Sequence, residues 1–496
     1  MVLNSSFTPR NFCEQSEKAS HDATLRAVLD HATRYFMAKR GAALNAFADR
    51  ETHFARARSA RLTALSRLPE LLEQLEQNAT RAGTQVHWAT DAAEARAIIT
   101  GIAQGCGAKV VVKGKSMVTE EIALNPALEA TGPDGIEVWE TDLGEFIVQL
   151  AGEPHSHIIA PAIHKSRADV AALFREKLGL AALDDGTSIP ELTLLARRAL
   201  REKFLAADLG VTGVNIAVAE TGSLILVENE GNIRMSTTCP PVHVAVMSLE
   251  KVAATLEDAA DVLRVLPRSA TGQKMSSYVS VLTGPRRANE PNVENDGARE
   301  AHLVILDNGR SEVLSDPLLR EALLCFRCGA CLNSCPVYQT IGGHAYGSVY
   351  SGPIGALLSS LLLPAKDTRD LPFGCTLCGA CKKTCPLSID HPKLMLRLRE
   401  RVCAGRPGFA SAAHTFLALH PLAYRLAVGA ARAVDPNLDL LPRLPGLPSG
   451  VAQFADTRQL PELKRCFSAQ LRDDRKNQGR KNQGRKKEGR KKQGGA

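Results

Sequence analysis

Eight cysteines carry the chemistry that is easiest to read in this chain. Cys325, Cys328, Cys331 and Cys335 precede Pro336, and Cys375, Cys378, Cys381 and Cys385 precede Pro386, so the spacing C-x2-C-x2-C-x3-C-P occurs twice. Thiolate sulfur is a soft donor that suits iron–sulfur clusters and zinc. Structural zinc sites favour two separated ligand pairs, whereas this run is the one found in bacterial two-cluster ferredoxins. Two [4Fe–4S] clusters are therefore the expected cofactors, with zinc as the rival metal. The fourth cysteine of such a run serves the other cluster. That predicts Cys325, Cys328, Cys331 and Cys385 at one cluster and Cys375, Cys378, Cys381 and Cys335 at the other. With sulfur at all eight positions no iron is left open to a substrate. The pattern points to electron transfer and designates no catalytic acid or base.

Residues beside the cysteines have matched positions in the two runs. Gly329 and Gly379 give the first turns room, and Ala330 and Ala380 limit crowding. Phe326 and Leu377 are candidates to shield the metal, or simply to pack. Lys382 and Lys383 are placed to balance thiolate charge or to form a solvated recognition face. Between the runs, Gly342-Gly343 bends around His344, while Tyr346 and Tyr350 face either a partner or the relay. Cys13, Cys106, Cys239, Cys403 and Cys466 have no repeated short spacing and read as free or packed thiols.

The preceding region offers weaker candidates. Lys113-Gly-Lys115-Ser-Met117 is either an anion-friendly loop or a surface or folding element, and it lacks the glycine-rich spacing of a phosphate-binding loop. Thr119, Glu120 and Glu121 cap the next helix or organise a site. Glu140, Thr141, Asp142 and Glu145 form an acidic run for which a proton-transfer role is the lesser reading. His155 and His157 share a face only if their segment is a strand. His164-Lys165 reads as a solvated helix entrance, with an active pair as the lesser reading. Glu220 to Gly222 and Glu228 to Asn232 read as turns of a hairpin scaffold, with a substrate or partner loop as the lesser reading. Cys239 has no close base to activate it, and His243 reads as packing.

These residues need elements to hold them. Residues 20–80 are largely helical by periodicity, with Leu25 to Ala38 and Leu62 to Leu75 as examples, the latter kinked or restarted at Pro69. Strands are expected at Thr84–Trp88, Lys109–Val112, Ile136–Trp139 and His157–Ile159, and a helix at Ser166–Lys177. Further strands are expected in Asn215–Glu220, Ser223–Glu228, Val242–Ser248, Tyr278–Leu282 and His302–Leu306. That alternation implies an α/β domain. At 496 residues and 44% hydrophobic composition, the chain is too long and too apolar for a bare cluster module or for global disorder. Its net charge of +8 is local. Arg475 to Ala496, four RK-rich five-residue units and two further residues, holds ten basic residues and one acidic; the remainder holds 51 basic and 52 acidic. The body therefore has no nucleic-acid signature, and the tail reads as solvated. Met1 to Gln15 is polar, and Phe409 to Val434 is broken by histidines, arginines and Pro421. A cytoplasmic location is expected, with peripheral membrane contact admitted.

Together these features resemble the lactate-utilisation iron–sulfur protein B (LutB) family. The resemblance rests on the long α/β region, the VLDNGR-like segment Ile305 to Arg310, the duplicated cysteine runs and IGGHAYGSVYSGPIG from Ile341 to Gly355. It covers about residues 60–460. It implies a lactate-utilisation α/β domain related to sugar-phosphate isomerase-like folds, followed by a mainly helical ferredoxin-type domain with two [4Fe–4S] clusters. The expected division is a helical extension (1–60), the α/β domain (61–309), the two-cluster domain (310–400), a helical or linker region (401–474) and the basic tail (475–496). The resemblance further implies an electron-transfer subunit in oxidation of L-lactate to pyruvate, with companion lactate-utilisation subunits and redox carriers as partners. Glycolate or another 2-hydroxy acid as substrate, or a redox-sensing regulator, are the alternatives.

Overall fold

Strand chemistry in the large domain divides into two kinds. Val242–Ser248 (VHVAVMS) is buried along its whole length, as expected of a strand covered on both faces of a parallel sheet. Tyr278–Leu282 instead has one face largely exposed. The computed structural model describes residues 8–181, 183–286, 297–404, 413, 415–417 and 419–434. Among them are ten strands: β1 Gln85–Ala89, β2 Val110–Lys113, β3 Glu137–Glu140, β4 Leu209–Gly213, β5 Ile216–Val218, β6 Ser223–Glu228, β7 Val242–Ser248, β8 Val252–Ala253, β9 Tyr278–Leu282 and β10 Glu300–Leu306. A six-stranded sheet runs β1-β10-β7-β4-β2-β3 with every pair parallel. A four-stranded sheet, β8-β5-β6-β9, is mixed. The α/β class is as expected.

The central strand β4 escaped the sequence reading because its Leu-Gly-Val-Thr-Gly sequence looks like a turn. Its glycines serve close approach instead. A β-carbon at Gly210 would stand 1.8 Å from the Ser236 carbonyl oxygen, so the helix Asn232–Thr238 can lie on the strand only there. The segment His157–Ile159 is not a strand. It is a turn in which His157 Nδ1 accepts hydrogen bonds from the Ile159 and Ala160 amides at 3.0 and 3.1 Å. Leu62 to Leu75 spans two helices, Arg50–Ser66 and Leu68–Arg81, with Pro69 in the first turn of the second.

The helix Ala23–Asn45 packs against Ala330–Asn333 and Pro336–Ile341, so the N-terminal helices clasp the cysteine-rich part. Apolar side chains from both parts join in one core, including Leu29, Ile158, Val265, Leu323, Leu332 and Met395. One compact unit extends to Val402. The second begins at Cys403 and contains the helix Pro421–Val434. No helix of the described residues is long and apolar enough to cross a membrane. The segment 436–450, Cys466 and the basic tail lie outside the described residues.

Candidate metal centre and the cavity beside it

The two cysteine runs repeat their backbone as well as their spacing. A 3₁₀ turn precedes each, Leu319–Leu324 and Leu371–Gly374, and a short helix follows, Ala330–Asn333 and Ala380–Thr384. Arg327 and Leu377, the residues before the second cysteines, take left-handed φ values of 64° and 58°; Gly329 and Gly379 follow at 72° and 78°. That conformation turns the amides inward. Arg327 N–H donates to Cys325 Sγ at 3.3 Å and Leu377 N–H to Cys375 Sγ at 3.4 Å. A non-glycine residue in this region is strained, and its recurrence at matched sites marks a functional loop.

The thiols fall into two quartets. Cys331 interacts electrostatically with Cys325, Cys328 and Cys385. Cys381 interacts in the same way with Cys335, Cys375 and Cys378. Burial, then these neighbours, pushes Cys328 and Cys381 up to about 12 and Cys331 well above the ordinary thiol value. Four crowded thiols cannot ionise together without a compensating positive centre, and their donor atoms are all soft sulfur. The quartets thus fit iron–sulfur clusters.

Their surroundings differ. The first quartet lies within electrostatic reach of Arg40, Arg58, Arg61, Lys251 and Arg327. Arg40 Nη2 also donates to Thr384 O at 2.6 Å, and Arg61 Nη2 to Leu323 O at 2.9 Å. The second quartet approaches the surface: Cys378 is exposed, and so is nearby Phe373. Tyr346 is buried within reach of Cys335, Cys375 and Cys331, members of both quartets. It faces the relay, not a partner.

A buried ionic network joins the first cysteine run to the sheet, and the sequence reading missed it. Arg310 donates to both oxygens of Glu121, at 2.8 and 2.7 Å, and its Nε lies 3.0 Å from Glu250 Oε2. Arg327 Nη2 donates to Glu250 Oε1 at 2.9 Å and Nη1 to Cys325 O at 2.9 Å. Tyr350 Oη donates to Glu121 Oε2 at 2.6 Å. Burial pushes Glu250 up, but Arg310 and Arg327 outweigh it and hold the carboxyl at about 2. The signal was present in Asp307-Asn308-Gly309-Arg310. Gly309, at φ 86°, starts the helix Arg310–Ser315.

Other candidates find structural partners. Lys113 is buried, not on the surface, and lies 2.7 Å from both Glu120 and Glu140. Burial pushes Glu140 up to about 8, with Glu120 and Glu145 opposing the pull of Lys113. Glu145 is held at about 2, Lys115 at 2.7 Å outweighing burial. Thr119 accepts from Lys113 Nζ at 3.1 Å, and Thr141 bonds Lys113 O at 2.9 Å. His164 is largely buried rather than solvated, and with Lys165 it engages Glu153 at 2.8 and 2.6 Å. His155 and His344 bond the carbonyls of Val349 and Pro154, both at 2.7 Å. His243 Nε2 pairs with Thr212 Oγ1 at 2.8 Å in the core. Cys239 is exposed. Glu228 caps the helix Asn232–Thr238, accepting from the Ile233 and Arg234 amides. His157, one of the weaker candidates, sits against the first run: a β-carbon on Gly329 would come 3.3 Å from its ring.

A cavity of about 340 Å³ opens between the carboxyl ends of the parallel strands and the first cysteine run. Lys115 follows β2, Asp142 follows β3, Asn215 follows β4 and Ser248 ends β7; Phe326 and Arg327 form the opposing wall. The carboxyl edge of a parallel sheet is where open α/β folds take up ligands. Lys251 also lines the cavity, and burial followed by Arg327 pushes its ammonium down to about 7.

Comparison with known proteins agrees with this arrangement. A LUD domain matches residues 72–306 and a 4Fe-4S dicluster domain matches residues 321–389. With the two thiol quartets, the latter gives the chain two [4Fe–4S] sites. An uncharacterized electron transport protein of Escherichia coli K12, YkgF, is 49% identical over 69% of this chain and 70% of its own. Lactate utilization protein B of Shouchella clausii is 43% identical over 78% of this chain and 80% of its own. The protein of that name from Bacillus licheniformis is 42% identical over 79% and 80%.

Proposed function

Since the chain belongs to the lactate utilization protein B family and has an electron-transfer role in lactate-utilisation machinery, we propose that it serves the oxidation of L-lactate to pyruvate. It is a non-catalytic component of that oxidation. Cys325, Cys328, Cys331 and Cys385 hold one cluster, and Cys375, Cys378, Cys381 and Cys335 hold the other. The grouping of the thiols by mutual electrostatic contact supports this assignment. Each cluster, when bound, supplies a one-electron redox centre, so that a two-electron oxidation can hand on its electrons singly.

The chain's own residues set the conditions for that. Five cations offset the charge of the first quartet, and the clasp of N-terminal helices keeps water from it. Exposed Cys378 and Phe373 put the second quartet within reach of a docking carrier. Companion lactate-utilisation subunits and a cytoplasmic location complete the reading.

The exposure difference between the quartets carries the proposal, because it gives the relay an inner and an outer end. Anaerobic reconstitution with companion subunits tests it. L-lactate should reduce the clusters, followed by EPR, and glycolate should not. Rapid reduction by glycolate with none by lactate overturns the choice of substrate.

A further inference from the structure

The cavity beside the first cysteine run brings two of the five cations near the first quartet, Lys251 and Arg327, to a surface that can also meet a ligand. Its acids are occupied: Glu228 by the Ile233 and Arg234 amides at 2.6 and 2.8 Å, Glu230 by the Leu143 amide at 3.1 Å, and Asp142 by the Glu145 amide at 3.1 Å. Lys115 is matched by Glu145. Lys251 differs. Glu250, its neighbour in the chain, is taken up by Arg310 and Arg327, and no described residue gives the Lys251 ammonium a hydrogen bond or ion-pair partner. Lys251 and Arg327 therefore both line the wall at the cysteine run within electrostatic reach of each other, and Arg310, Arg327 and Lys251 all face the one carboxylate of Glu250. Met117, Val214, Met247 and Leu266 supply an apolar lining.

We propose that this cavity binds a small organic monocarboxylate, a 2-hydroxy acid or the 2-oxo acid made from it, with the carboxylate on Lys251 and Arg327 and the carbon chain toward the apolar lining. The inference rests on the functional reading above and adds to it a binding site on this chain; no bond is made or broken by these residues. Arg327 hydrogen-bonds Cys325 O, so a ligand on this cation pair lies beside the run that carries three of the first quartet's four cysteines. Size gives a second consequence. A cavity of about 150 Å³ already holds benzene, so about 340 Å³ exceeds what a three-carbon acid fills. Longer 2-hydroxy acids bind more tightly, by roughly threefold to fourfold for each buried methylene.

Titration calorimetry on the anaerobically reconstituted full chain tests the site with L-lactate, pyruvate, 2-hydroxyisocaproate and uncharged propane-1,2-diol. The three carboxylates bind, 2-hydroxyisocaproate most tightly, and the diol does not. Lys251→Met weakens carboxylate binding at least tenfold with iron content unchanged, and Lys251→Arg restores part of it. Ala270→Phe, which narrows the cavity from the helix Leu256–Ala270, costs 2-hydroxyisocaproate at least tenfold more than L-lactate and provides a second arm should Lys251→Met lose iron. Binding of the diol as tightly as the acids overturns the proposal. So does a Lys251→Met variant that binds as the parent does while only the cluster potential shifts, since Lys251 would then serve the cluster alone. Cluster reduction by L-lactate in the complex, with no carboxylate bound by this chain, overturns the site and leaves the functional reading intact. Carboxylate binding without reduction by lactate in the complex supports the site and overturns that reading.

Discussion

Arg327 Nη2 and Glu250 Oε1 stand 2.9 Å apart, tying the loop between the first two cysteines to the 3₁₀ turn that follows β7. Glu250 is fully buried and Arg327 nearly so, and Arg310 approaches the same carboxylate from the other side. A carboxylate so placed fixes the cysteine loop relative to the sheet. Any cavity ligand at the sheet edge is thereby held in register with the first quartet.

Removing that carboxylate should be costly. Glu250→Gln leaves Arg327 without its ion partner in a dry site, where an uncompensated charge costs about 3–5 kcal/mol. Glu321→Gln breaks the more exposed pair with Arg58, where about 1 kcal/mol or less is expected. Unfolding free energies of the two reconstituted variants, compared with the parent, check the difference. Equal losses would show that the Glu250 network is not the tie between the two parts.

The proposed exchange of ligands between the two runs predicts how iron is lost. Cys385→Ala, although in the second run, should remove the cluster of the first, halving the iron at four irons per cluster. The double variant Cys328→Ala/Cys385→Ala should lose no more than either single variant. Cys378→Ala/Cys385→Ala should lose both clusters. Iron analysis with EPR distinguishes this from ligation in sequence order, for which the two double variants exchange outcomes.

Five cations near the first quartet should make its cluster the easier to reduce. Arg40 lies within reach of Cys328 and Cys385, and its Nη2 bonds Thr384 O. Arg40→Met should lower the potential of the first cluster by on the order of 100 mV, the effect of one charge at about 8 Å and an effective dielectric constant of about 20. The second cluster should move far less. An EPR-monitored redox titration that finds both potentials shifted equally would contradict the inner and outer arrangement.

Much of this was legible in the residues because metal ligation depends on spacing, and spacing is written in the sequence. β7 and β10 were likewise visible as continuous apolar runs. β4 was not, since Gly210 and Gly213 signal a turn locally and are explained only by the side chains and backbone packed against them. The Glu121–Arg310–Glu250–Arg327 network was legible only at Arg310, through the segment Asp307-Asn308-Gly309-Arg310. Its members are up to about 200 residues apart, and each alone resembles an ordinary surface charge. Of the readings of Lys113, the folding role is the one its burial fits, and that burial depends on Glu120 and Glu140 arriving together.

Buried histidines make the fold less stable as the pH falls. Burial, followed by His302, pushes His243 down to about 4, and its Nε2 pairs with Thr212 Oγ1 at 2.8 Å. Burial pushes His391 down to about 4 as well. In the unfolded chain a histidine takes up its proton near pH 6.5. The folded state therefore binds fewer protons than the unfolded state between pH 6.5 and about 4. The stability each histidine contributes is fully present above pH 6.5 and is lost as the pH falls through that window. Each such group gives a slope of up to about 1.4 kcal/mol per pH unit. His243→Gln keeps a hydrogen-bonding side chain and removes the titration, so its unfolding free energy should fall less steeply than the parent's by about that amount per unit. Denaturant unfolding of both proteins at matched pH values from 7 to 4.5 measures the difference, which cancels acid loss of iron common to the two. Parallel curves would show that His243 takes up its proton in the folded protein as readily as in the unfolded chain.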